Sequence, residues 1–142
     1  MNTTALRKGV LEKFAPRFAP HSVAIFVKGR SPLINLNVLG RLGLSADCRE
    51  KWPDVMLYVP KKKQLYFIQV FGSCGLISLE RRQELASLLS NSRIRCRYIS
   101  VFRNLKTYSR HAQDIAWDTH VWLAEMPDHM IHHDGVRQLQ PH

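Results

Sequence analysis

Long apolar runs are missing from this chain of 142 residues. None reaches the roughly 18 residues that a membrane helix needs, so no membrane span is expected. The N-terminal MNTTALRKGVLEKF has no apolar core and no small-residue cleavage site, so no secretory signal is read there. Cysteine is scarce: Cys48, Cys74 and Cys96 stand far apart, without a CxxC pair. An odd, scattered set argues against a disulfide framework or a zinc ribbon, and points to reduced thiols in the cytoplasm. The glycines form neither a Walker loop nor a dinucleotide fingerprint, and GxSxG and HExxH are absent. Acidic residues are few where bases are many. Between Lys51 and Gln113, twelve Lys and Arg face only Asp54, Glu80 and Glu84.

That imbalance is the main functional signal. The net charge is +10, and the basic middle is followed by an acidic stretch with Asp114, Asp118, Glu125, Asp128 and Asp134. A basic surface of this size selects polyanions, nucleic acid above all. Lys61, Lys62, Lys63, Arg81, Arg82, Arg93, Arg95 and Arg97 are the candidate phosphate contacts. Charge that serves only solubility is the alternative.

Hydrophobic periodicity predicts the elements. A helix covers Thr4 to Phe14, and the two prolines of APRFAP end it. Ser22 to Val27 is a short buried strand, Leu33 to Leu44 a second helix, and Ser45 to Lys51 a polar loop. Val55 to Val59 and Leu65 to Phe71 form a hairpin around Pro60 and Lys61 to Lys63. Ser78 caps a helix to about Leu89, Ile94 to Phe102 is a strand, and Leu105 to Ile115 a helix. Thr119 to Ala124 and His129 to His132 close the chain as short strands. A hairpin followed by a strand-helix-strand crossover gives a single α/β domain: a mixed central sheet flanked by helices.

Three constellations could carry chemistry. Asp54 at the mouth of the hairpin, with the buried polar Gln69 in the next strand, suggests a hard-cation site for phosphodiester chemistry. A turn aspartate and a cross-sheet amide are the structural alternatives. His129, His132, His133 and Asp134 could ligate zinc, but strand alternation disperses them, so exposed or packed histidines are the better reading. Gly72-Ser-Cys-Gly75 could hold a phosphate oxygen on its amides, although a plain strand-to-helix turn is the default. Cys74 has no neighbouring His to activate it.

Several stretches resemble the C-terminal domain of the BsuBI/PstI type II restriction endonucleases. Pro53-Asp54-Val55 with Leu57-Tyr58, then Gly75, Ser78, Arg81 and Glu84-Leu85 match it. So do Asp114 to Thr119, Val121-Trp122, Ala124-Glu125 and Pro127 to His132, with Gly135, Leu139 and Pro141 beyond. Trp52 to His142 carries the strongest similarity, Leu11 to Ser22 resembles the start of that domain, and Leu33 to Glu50 is weakest.

The resemblance implies a PD-(D/E)XK core that cleaves double-stranded DNA with Mg²⁺, as a homodimer. It places the first metal-binding acid on Asp54. Gln69 stands where that family has Glu, and Phe71 falls on the usual lysine position. A lysine of that family early in the next helix corresponds to Glu80. Asp54, Gln69 and Glu80 are thus the expected catalytic set, with Glu12 on the first helix as a further metal donor. The alternative is a retained DNA-binding or dimerising module whose chemistry is weakened by Gln69 and Phe71. RNA binding has only the charge and aromatics such as Tyr98 and Phe102 behind it.

Overall fold

A computed structural model describes residues 2–44, 46–90 and 93–134. Gly135, Leu139 and Pro141 of the resemblance lie outside the described residues.

Seven strands form one mixed sheet in the order β2-β1-β3-β4-β5-β6-β7. They are β1 (Val23–Val27), β2 (Leu33–Ile34), β3 (Val55–Val59), β4 (Gln64–Val70), β5 (Arg95–Phe102), β6 (Thr119–Leu123) and β7 (Met130–His133). The β2, β1, β3 and β4 neighbours are antiparallel, β4, β5 and β6 run parallel, and β7 returns antiparallel. The parallel pairs need crossovers, and α4 (Leu79–Ser87) and α5 (Leu105–His111) supply them.

The β-branched and aromatic residues of β3 and β4 alternate between two cores. Val55, Leu57, Tyr66, Ile68 and Val70 face the N-terminal helix, where Leu6, Val10 and Phe14 pack against them and Trp122. Met56, Leu65 and Phe67 face the opposite core, closed by Leu39 and Leu42 of α3 (Leu36–Leu42) and by Ile77 and Leu85. With both faces covered, β4 reads as a nearly continuous apolar run, and Gln69 is its buried polar exception.

The structure differs from the sequence expectations in several places. The first helix does not stop before Pro16. Segment α1 (Thr3–Gly9) passes through a π turn (Val10–Phe14) into α2 (Ala15–Phe18). Pro16 sits in the first turn of α2, where its missing N–H breaks no regular bond. Leu33 and Ile34 are not helical; they pair with Val27 and Phe26, and Asn35 then caps α3 through its side chain. The segment Ala46–Lys51 is a 3₁₀ turn rather than a loop. Helix α5 ends at His111 and tightens into a 3₁₀ turn over Ala112–Asp114. Strand β7 begins at Met130, one residue after the expected His129.

No helix among the described residues is long and apolar enough to cross a membrane.

Candidate active site

Strands β3 and β4 set the site. Their register pairs Val55 with Ile68, so the next step places Asp54 opposite Gln69. Both side chains are fully buried. A buried carboxylate is costly unless it is hydrogen-bonded and paired, and Asp54 is both. Its Oδ2 accepts from the Val70 amide at 2.7 Å and the Cys74 amide at 3.3 Å. Its Oδ1 accepts from Ser73 Oγ at 2.6 Å and from Arg7 Nη1 at 3.2 Å. The turn after β4 makes this possible: Gly72 (φ +103°) and Gly75 (φ +87°) take conformations that L side chains rarely adopt, and the chain folds back over Asp54.

Gln69 is engaged in a different way. Its Oε1 accepts from Arg81 Nε at 2.5 Å. Its Nε2 faces the carbonyls of Cys74 and Gly75 at 3.3 and 3.2 Å, and that of Leu76 at 3.5 Å. Arg81 completes a clamp, with Nη2 donating to the Lys51 carbonyl at 2.7 Å and Nη1 meeting Glu84. One guanidinium thus ties the first turn of α4 to β4 and to the segment before β3.

The remaining expected site residues lie elsewhere. Glu80 is exposed in the first turn of α4. Glu12 is exposed and pairs with Lys8 at 3.7 Å; the residue that the first helix sends to Asp54 is Arg7. Among the described residues, no three His, Cys, Asp or Glu side chains group as a metal site. Phe71 stacks on Phe102 and packs at a tilt against His111, with ring centroids 5.1 and 4.5 Å apart. Burial, and then the Asp54 carboxylate, push the Cys74 thiol above its ordinary pKa, which disfavours a thiolate nucleophile.

The candidate phosphate contacts also divide. Arg81 is at the Asp54 end. Arg82 lies over the Tyr98 ring, 5.3 Å from its centroid. Lys61, Lys62, Lys63, Arg93 and Arg95 are exposed at the opposite end of β4 and β5, and Arg97 follows one alternation later.

Of the histidines, His132 stands across from His120 with Nδ1 atoms 2.7 Å apart, and His133 Nε2 meets the Tyr108 hydroxyl at 2.8 Å. Burial, then His132 and Arg97, hold His120 down to about 4.

Arg7 is the participant that sequence reasoning missed, and Ser73, named only within the Gly72-Ser-Cys-Gly75 turn, was not read as a partner of Asp54. Arg7 is 47 residues from Asp54, and nothing local marks it.

The family model of the BsuBI/PstI restriction endonuclease domain matches residues 2–136. The chain belongs to this family. The BsuBI/PstI domain here is 36% identical to the type II restriction enzyme BsuBI of Bacillus subtilis, over 96% of this chain and 44% of that protein. It is 33% identical to the type II restriction enzyme AplI of Arthrospira platensis, over 94% and 44% respectively. The solved structure of SdaI restriction endonuclease superposes with a TM-score of 0.88 at 28% identity, covering all of this chain and 46% of that one. The domain therefore spans less than half the length of these relatives. Its fold is that of a restriction endonuclease domain, as the sequence resemblance implied.

Proposed function

We propose that this domain is the DNA-cleaving part of a type II restriction endonuclease. It acts in the cytoplasm on double-stranded DNA within a restriction–modification system, as a homodimer. Family membership over residues 2–136 supports the class. The observation that carries the site is the buried Asp54 opposite the buried Gln69, at the end of β4. A carboxylate buried and bonded in this way is held at a fixed point under the turn after β4.

The Mg²⁺ that the fold implies is not fitted by this donor set. Both oxygens of Asp54 are taken by N–H and O–H donors, one of them a guanidinium. The only oxygen of the Gln69 side chain faces Arg81. A hard cation needs oxygen atoms open to it, and these are already occupied by hydrogen-bond donors. The chain's own residues do something narrower: Asp54 fixes the turn after β4, and Arg7 and Arg81 hold two guanidinium groups beside it.

The Gln69–Arg81 contact favours a second reading, in which the domain binds DNA and dimerises but cleaves weakly. One experiment separates the two. Supercoiled plasmid is incubated with the native chain and Asp54→Ala in Mg²⁺ or Mn²⁺, with binding measured in parallel without metal. Cleavage abolished by Asp54→Ala with DNA binding retained supports the first reading. Binding without cleavage supports the second, and cleavage indifferent to Asp54→Ala removes Asp54 from the site.

A further inference from the structure

The other end of the sheet holds a cavity of about 380 Å³, between α3, the β3–β4 turn and the entry to β5. Its position separates it from Asp54. The β4–β5 register runs from Gln64–Arg95 at the cavity end to Gln69–Ser100 at the Asp54 end. Five steps at 3.3 Å put the two roughly 17 Å apart.

Its lining has two parts. Val38, Leu42, Tyr58 and Ile94 make an apolar floor with one aromatic ring. Arg41, Lys63 and Arg93, all exposed, stand around it, and no acid is among the described residues that line it. Lys63 is held in place by its backbone: it adopts a left-handed conformation (φ 49°), and its carbonyl accepts the Arg95 amide at 2.9 Å. The cavity lies at the lower end of the size range for small-molecule sites.

This combination discriminates among polyanions. The groove-facing backbone of a duplex offers phosphate but keeps its bases stacked, and would leave the apolar floor unfilled. Inorganic phosphate would leave it unfilled too. A nucleotide with an unstacked base supplies both a flat ring for the floor and Tyr58, and a phosphate for the cations. We propose that this cavity binds a single nucleotide, free or at an unpaired strand end. The proposal does not depend on what happens at Asp54.

The test titrates the native chain with 5′-dAMP, with deoxyribose 5-phosphate and with a blunt duplex, followed by calorimetry. Saturable binding of 5′-dAMP is expected, at least about tenfold tighter than the sugar phosphate that lacks the base. Val38→Trp fills the cavity from α3 without changing charge. It should weaken 5′-dAMP about tenfold and leave blunt-duplex affinity within about twofold. Arg41→Glu, at an exposed position, should weaken the nucleotide in a chain whose fold is not at stake. Equal binding of the sugar phosphate would reduce the cavity to a basic patch and overturn the proposal. So would no saturation at millimolar nucleotide, or 5′-dAMP binding unchanged in both variants.

Discussion

The two ends of the central sheet use the same strands in opposite ways. At the carboxyl end of β4, every polar group of Asp54 and Gln69 is buried and bonded, with Arg7 and Arg81 committed to them. At the amino end, Lys61, Lys62, Lys63, Arg93 and Arg95 are exposed. Charge that is spent inside the protein stabilises it and attracts little from outside. Charge left in water does the reverse. Formal charge along the chain does not distinguish the two, so a basic middle segment is not one surface.

The largest effect should come from breaking the carboxyl end. Asp54→Ala strips the Val70 and Cys74 amides and Ser73 of their acceptor and leaves the Arg7 guanidinium, 11% exposed, without its carboxylate partner. Losing one member of a buried pair costs about 3–5 kcal/mol, which urea unfolding would register as a lower midpoint. A loss below about 1 kcal/mol would mean that the network contributes little.

Charge reversal at Arg93, Arg95 and Arg97 should test the amino end. Duplex affinity should fall by about tenfold or more, and the slope of log K against log salt should shrink by up to about three contacts' worth. Stability should change far less than in Asp54→Ala, because Arg95 and Arg97 are exposed. An affinity that is the same at low and moderate salt would remove nucleic acid as the partner.

Gln69→Glu sharpens the contrast from within. The new carboxylate would meet Arg81 Nε, so the gain should appear first as a salt bridge and only weakly as metal affinity. Adding Arg81→Ala should free that carboxylate, and Mn²⁺ binding by calorimetry should then tighten relative to the single variant. If the single variant already binds Mn²⁺ as tightly as the double, Arg81 is not what keeps a cation out.

The smallest effect lies between the two ends, at His120. Its pKa is held down to about 4, against an ordinary 6.5. Between those values the unfolded chain binds more protons than the folded one. Stability is therefore fully present above about pH 6.5 and is lost as the pH falls towards 4. The ring is partly exposed, so screening reduces the contribution to on the order of 1 kcal/mol. His132→Ala should flatten this dependence in urea midpoints taken between those pH values, because His132 is the largest charged neighbour that depresses His120.

What was legible in the sequence follows from the range of the forces involved. The hairpin, the crossover and the cap at Ser78 are local patterns, and β3, β4, α4 and β5 lie within a residue or two of their expected places. The pairing of Leu33 and Ile34 with β1 was not legible, because a two-residue edge strand has no period of its own. Asp54 and Gln69 were legible as polar exceptions at a hairpin mouth. Their partners were not: Arg7 comes from 47 residues away and Ser73 from 19, joined only by folding. Arg81 was legible as a base, but not as one turned inward to Gln69.

The π turn at Val10–Phe14 carries a consequence for how this chain can change in length. It holds one more residue per turn than a regular helix would. The half bearing Arg7 and the half bearing Phe14 are phased to the sheet through that extra residue. Winding the turn into a regular helix with every residue kept would rotate one half against the other by about 100°. Either Arg7 would swing away from Asp54 or Phe14 would leave the core. A one-residue deletion within the turn removes the extra residue itself and leaves the two halves in phase, so it should be tolerated better than a one-residue insertion there.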